Sequence, residues 1–311
     1  MVRRGSARKG SGRRDHRSRR GPVLSVPPRP APAVTARTPG TRTAVAVSPH
    51  LDDAVFSAGG VLAALARAGW SVRVVTCFTA SVDDPCPFAL STQLDKGLPA
   101  ETDYMALRRA EDTAAQRMLG VLPPLHLPLP EAPHRGYGSA PELFASPRAG
   151  DTVGAELESL IRPRLAPADL VLAPQGIGGH VDHVITARAV AATAPPSRTC
   201  WWRDVPYVVR APYAAGGPPL GRSADAIEVT VDIGAVLTRK IAAAACYTSQ
   251  LGFQFGGIER VGGVLSAVAR TEARRTGTRC GHGEALKAGS RARRLLDTLF
   301  PECPEESRHA R

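Results

Sequence analysis

Short runs of small and β-branched apolar residues alternate with stretches of helical periodicity from residue 43 to residue 193, and few folds accept that alternation. Residues 43–48 (TAVAVS) read as a buried strand, 54–68 as a helix and 71–79 (SVRVVTCFT) as a second strand. An amphipathic helix is predicted over 104–119, stopped at Gly120, followed by a short strand at 125–127. Residues 153–162 read as a helix ended by Pro163, 169–173 (DLVLA) as another buried strand, and 182–193 as a helix. Strands that each feed a helix build a mostly parallel sheet covered on both faces. The expected fold class is therefore α/β, in one domain spanning residues 41–273. In such sheets ligands bind beyond the carboxyl ends of the strands.

After Pro206 the pattern loosens. Residues 207–210 and 227–231 read as strands, 235–249 as an Ala-rich helix, and 252–263 as a Gly-rich flexible loop. Residues 274–311 are polar and basic, an extension expected to be partly helical (Leu295, Leu296, Leu299 and Phe300) or disordered. No internal repeat is present.

The net charge of +12 is local. Residues 1–40 hold eleven Lys or Arg and one acid, leaving 29 basic and 27 acidic residues in the rest of the chain. That basic, Pro-rich tail is too polar to pack and is expected to be disordered. It has no aromatic residue to stack bases, so nucleic acid is not the expected partner. Its Arg pairs lack the apolar segment of a twin-arginine signal. No stretch approaches the apolar length of a membrane span. The expectation is a cytoplasmic protein without a membrane partner; oligomeric state has no signature in the sequence. Six cysteines without a C-x-x-C pair indicate neither a disulfide framework nor a thiolate zinc site.

Two clusters fall at predicted strand ends. His50 and Asp53, three residues apart in Val47-Ser48-Pro49-His50-Leu51-Asp52-Asp53, can turn to one side at the start of a helix. An imidazole and a carboxylate suit zinc, and His183 would complete a set of two imidazoles and one carboxylate with one position open for water. Asp52 points elsewhere than Asp53 and is free to act as general base. His180 precedes His183 by three residues. As an imidazolium it would stabilise an oxyanion or protonate a leaving amine, with Asp182 as its orienting partner. Each feature also has a plainer reading: Asp-Asp after a strand is commonly a helix cap, and a His-x-x-His pair is commonly surface or core. Their combination is what points to metal-assisted hydrolysis.

Ser48-Pro49-His50-Leu51-Asp52-Asp53, with Gly59-Gly60, resembles the opening motif of the PIG-L (LmbE-like) family of zinc-dependent de-N-acetylases. Gly179-His180-Val181-Asp182-His183 resembles that family's second motif. The Arg108-Arg109-Ala110-Glu111 helix ending in Leu119-Gly120, and residues 240–250 (KIAAAACYTSQ), are similar to its later motifs. The resemblance covers about residues 43–255 and implies a Rossmann-like α/β fold. It implies His50, Asp53 and His183 as ligands of one zinc ion, Asp52 as general base and His180 as acid or electrophile. Arg108 would contact substrate hydroxyls or phosphate, or else pair with Glu111 or Asp112 along its helix. The sequence departs from the family at Leu51, Ala54, Val181 and Tyr247. Ala54, where a Glu is usual, is expected near the crevice and so to affect substrate contacts.

The implied activity is removal of an acetyl group from an N-acetylglucosaminyl conjugate, such as an antibiotic or thiol-cofactor intermediate. The partner would then be a small amino-sugar substrate. The alternatives are an amidase for a larger acyl group and a degenerate sugar- or nucleic-acid-binding version of the fold. The loop holding Glu131, His134 and Arg135 either lines the substrate pocket, with Glu131 and Arg135 reading sugar hydroxyls, or is a Pro-stiffened surface turn. Trp201-Trp202 either stacks on a sugar or fills the core.

Overall fold

The computed structural model describes residues 40–210 and 226–301. The basic tail and its expected disorder lie outside the described residues. The strands are β1 (Thr43–Ser48), β2 (Ser71–Thr76), β3 (Leu125–His126), β4 (Leu170–Pro174), β5 (Thr199–Trp202), β6 (Ile227–Asp232) and β7 (Gly283–Ala288). They form one sheet in the order β3-β2-β1-β4-β5-β7-β6. Pairing is parallel from β3 through β5, while β7 runs antiparallel to both β5 and β6.

The helices in the first half are α1 (Asp53–Arg67), α2 (Pro87–Leu94), α3 (Tyr104–Leu119), α4 (Ala140–Leu143) and α5 (Val153–Leu165). In the second half they are α6 (Val181–Thr193), α7 (Tyr207–Arg210), α8 (Leu237–Ala244), α9 (Thr248–Phe255), α10 (Ile258–Arg275) and α11 (Ser290–Leu299). The strand pleat sorts side chains to two cores. Ala44, Ala46, Leu170 and Leu172 pack with α1, α3 and α8–α10 on one face. Val47, Val171 and Ala173 pack with α5 and α6 on the other. Residues 44–47 of β1 and all of β4 are apolar for that reason. The chain leaves β1 for β2 and β3 on one side, then returns to β4 on the other. The switch point between β1 and β4 is where an open α/β sheet binds ligands.

Helix α1 is buried from Asp53 through Leu65. The carboxylate of Glu284, from β7, enters against its middle and accepts from Gly60 N (3.0 Å) and Val61 N (2.7 Å), while Lys240 of α8 donates to it at 2.6 Å. A Cβ at Gly60 would lie 2.6 Å from Ile233 and 2.9 Å from Glu284 Oε1. Gly60 thus leaves room for a buried ion pair that clamps the helix carrying Asp53.

Several expectations are corrected. Residues 207–210 form a helical turn, with Val208 N donating to Asp204 O. The helix expected over 235–249 is broken into α8 and α9, and the Gly-rich stretch is helical rather than a loop. Gly256, at φ +79°, ends α9, and Val261, Leu265 and Ala269 bury one stripe of α10. Pro163 does not end α5. One N–H bond is lost there, but Ile161 and Leu165, four apart, are both fully buried and hold the last turn. The expected domain limit at residue 273 falls inside α10, and the chain beyond it supplies β7 to the sheet. GEALKA lacks the β-branched residues by which a strand is recognised.

Candidate metal centre

At the corner after β1, the capping of α1 decides what each acid can do. Ser48 Oγ accepts from Ala54 N at 3.0 Å and donates to His50 O at 2.6 Å. Asp52 occupies the N-cap position, yet its side chain makes no capping bond. With Ser48 serving the helix, Asp52 is left buried at 3% exposure with Oδ2 lacking any hydrogen-bond partner. Its Oδ1 lies 3.5 Å from Arg108 Nη2. Asp53 Oδ2 accepts from His50 N at 2.8 Å.

At the corner after β4, Gly176, Gly178 and Gly179 all adopt positive φ and turn the chain sharply into α6. His180 is the N-cap of that helix, its Nδ1 accepting from Asp182 N at 3.2 Å. His183 follows one turn later and is fully buried.

The two corners meet. Asp53 Oδ2 lies 3.2 Å from His50 Nδ1 and 3.2 Å from His183 Nε2. His183 Nε2 is buried and has no partner with hydrogen-bond geometry. Its opposite nitrogen, Nδ1, is held by Asp204 Oδ1 at 2.8 Å, and His50 Nε2 is held by Asp182 Oδ2 at 3.0 Å. A carboxylate behind each imidazole is the arrangement that orients metal-ligating histidines. His50, Asp53 and His183 place ligand atoms within 4.8 Å of one another, and so do His50, His180 and Asp182. The first set fits a divalent cation. In the second, Asp182 is already engaged by His50, Arg135 and Ala132 N. Cys280 and His282 join no such group among the described residues.

Charge follows this geometry. Burial works against a charged His183, but Asp53 and Asp204 outweigh it and raise its pKa to about 9. His50 behaves alike: burial is outweighed by Asp182 and Asp53, and its pKa stands well above the usual value. His180 goes the other way, pushed down to about 3 by burial and then by His50. Burial and the neighbouring Asp53 raise Asp52 to about 6, against the opposing pull of Arg108. Burial also resists ionisation of Asp53, but His183 and His50 hold its pKa well below the usual carboxylate value.

Other expected residues take different places. Asp182 orients His50 instead of His180. Arg135 donates from Nη2 to Asp182 Oδ1 (2.6 Å), from Nε to Asp151 Oδ1 (3.2 Å) and from Nη1 to Pro130 O (2.7 Å), so the protein engages all three of its nitrogens. It positions the carboxylate behind His50. Arg108 pairs with Glu131 at 2.5 Å as well as facing Asp52, and neither Glu111 nor Asp112 is its partner. Glu111 and Asp112 instead tie α3 to Thr248, Ser249 and Tyr247. Glu131 is 18% exposed and borders a cleft of about 290 Å³ lined also by Asp83, Glu101, Tyr104 and His134. Ala54 packs in the core beneath α1 rather than in the crevice, and Leu51 is buried as well. Trp201 and Trp202 are core residues. Asp204 went unread in the sequence; its only signal is its position just past the end of β5.

Comparison with known proteins identifies the family. Residues 45–194 match the family model PIG-L, described as GlcNAc-PI de-N-acetylase. A 2'-N-acetylparomamine deacetylase from Streptomyces fradiae is 32% identical over 209 residues, 66% of this chain and 72% of that protein. The crystal structure of the A40926 pseudoaglycone deacetylase Dbv21 superposes with a TM-score of 0.63 at 30% identity, covering 79% of this chain and 96% of that one. A zinc-inhibited form of the teicoplanin deacetylase Orf2 gives a TM-score of 0.62 at 26% identity over 78% and 96%. With both motifs converging at the switch point of a matching sheet, the chain belongs to the PIG-L family of de-N-acetylases.

Proposed function

We propose that this protein is a zinc-dependent hydrolase that removes the acetyl group from an N-acetylated amino sugar, an N-acetylglucosaminyl conjugate of the kind found among antibiotic intermediates. The observation that carries this reading is a pair of buried polar atoms without partners, His183 Nε2 and Asp52 Oδ2, one from each corner. Leaving such an atom unpaired costs roughly 1–3 kcal/mol, a cost that a ligand and a reacting proton would offset. The activities named for the S. fradiae relative and for Dbv21 and Orf2 support the substrate class.

His50, Asp53 and His183 would hold one zinc ion per chain. Zinc at such a site polarises an acyl oxygen and lowers the pKa of a water to about 7. Asp52 takes the proton of the attacking water. His180 donates its Nε2–H to the oxygen that gains charge. It is not the acid for the amine, because its Nδ1 accepts from Asp182 N and its single proton sits on Nε2. The carboxylate expected to stabilise an imidazolium there is turned to His50 and Arg135. Asp52, carrying the water's proton, returns it to the departing amine. Arg108 holds Asp52 and Glu131 in place, and Glu131 reads sugar hydroxyls at the edge of the cleft.

No helix among the described residues is long and apolar enough to cross a membrane. The described cysteines are free, which supports a reducing compartment, and we place the reaction in the cytoplasm.

Metal analysis paired with activity tests the reading on wild type, Asp52→Ala and His183→Ala. His183→Ala is expected to lose zinc. Asp52→Ala is expected to keep zinc and release amine from a panel of N-acetylglucosaminides at least 100-fold more slowly. Metal-free wild type whose activity ignores chelators would falsify the assignment.

A further inference from the structure

Four rings form a closed circuit over the two converging corners. His180 and His183 stand 5.5 Å apart between centroids, and Tyr207 lies 5.2 Å from His183 at an interplanar angle of 89°. Phe144 closes the circuit, 5.9 Å from Tyr207 and 5.4 Å from His180. Tyr207 is built into this place. The preceding residues are pinned by Val205 N to Ser57 Oγ on α1 (3.0 Å) and by Asp204 to His183 and to Ile177 N (3.0 Å). Its ring lies against the backbone of Gly178, where a Cβ would come within 2.7 Å of the Tyr207 Cγ. Gly178 also has φ +92°. The turn after β4 is thus bare at the one position where a side chain would expel the Tyr207 ring.

The phenol itself is unspent. Among the described residues its hydroxyl has no hydrogen-bond partner, and it is not among the sealed polar atoms. Its ring stands edge-on to His183, beside the candidate ligand set.

We propose that Tyr207 is a further catalytic residue, whose hydroxyl donates a hydrogen bond to the substrate's acyl oxygen as that oxygen becomes an oxyanion, opposite the Nε2–H of His180. The proposal rests on the deacetylase reading above. No covalent step is involved. Tyr207 keeps its proton throughout, and the hydrogen bond shortens as charge develops on the acyl oxygen. Two neutral donors on opposite sides of one oxygen form an oxyanion hole, whose members act mainly on the transition state.

The test uses the full chain loaded with zinc. Tyr207→Phe keeps the ring and removes only the hydroxyl. It is expected to lower kcat by roughly 100-fold with KM and zinc content unchanged. It is also expected to weaken binding of a methylphosphonamidate of glucosamine, a tetrahedral mimic, by at least tenfold in calorimetry. Gly178→Ala, which displaces the ring, is expected to lower kcat while retaining zinc. A Tyr207→Phe enzyme within twofold of wild type in kcat and in mimic affinity would overturn the role. So would a loss of activity that tracks loss of zinc or of thermal stability, since that marks a packing residue. Wild type that binds zinc but releases no amine from any N-acetyl sugar would instead overturn the deacetylase reading, and the role of Tyr207 with it.

Discussion

The corner after β1 and the corner after β4 divide labour by different means. After β1 two adjacent carboxylates are separated by capping. Ser48 satisfies the helix, Asp53 turns toward the imidazoles, and Asp52 keeps a free oxygen. After β4 two imidazoles one turn apart are separated by what their distal nitrogens touch. His183 rests on the carboxylate of Asp204, and His180 accepts from a backbone N–H. Residue type and spacing are the same within each pair, yet the roles diverge because one hydrogen bond differs. An aspartate that would cap keeps an unpartnered oxygen when another side chain caps, and an imidazole with no carboxylate behind it stays neutral.

The contrast between the two imidazoles can be broken from outside the ligand set. Asp204→Asn removes the charge behind His183 and is expected to lower zinc affinity by about 10- to 100-fold, with activity recovered as zinc is added back. A competition titration with a chromogenic chelator measures it; unchanged affinity would mean that Asp204 only packs.

The contrast between the two acids is sharpened by pH. Burial and Asp53 raise the Asp52 pKa to about 6. A base works only when ionised, so kcat/KM should fall about tenfold per pH unit on the acid side of that pKa. A bound cation favours the carboxylate and shifts the limb lower, never higher. An acid limb above pH 7, or one that persists in Asp52→Asn, would assign it to another group.

A smaller effect is expected from Arg135→Lys. Lysine cannot bridge Asp182, Asp151 and Pro130 O as the guanidinium fork does. The carboxylate behind His50 loosens, and zinc affinity should drop by about tenfold with KM unchanged. A rise in KM without loss of zinc would restore Arg135 to direct substrate contact. Least connected to the chemistry is Gly60→Ala, whose added methyl strikes Ile233 and Glu284. It should destabilise the fold by about 1–3 kcal/mol in urea denaturation while zinc affinity per folded molecule stays the same.

Much of the scaffold was legible in the chain. β1, β4 and α3 were read to within a residue or so because their patterns are clean and local. β7 was not, because Glu284 and Lys287 sit in a strand flanked on both sides, where pairing rather than propensity holds them. Glycine marks turns, so residues 252–263 carry the sequence signature of a loop. Here Gly256 only ends one helix and the buried stripe of α10 takes over. Asp204 and Tyr207 could not be singled out, since neither lies in a repeated pattern or beside another reactive residue.

By itself the sequence determined the candidate metal ligands, His50, Asp53 and His183, and the family to which the chain belongs. It did so because strand ends in a parallel sheet deliver short motifs to one crevice, and those motifs are local in the chain. Only the tertiary structure decided which carboxylate stands behind which imidazole. Asp182 is two residues from His180 in the chain and yet holds His50 across the switch point. Asp204 reaches His183 from a third strand end. Those pairings are set by which strands lie side by side, and strand order is a property of the folded sheet, invisible to any spacing along the chain.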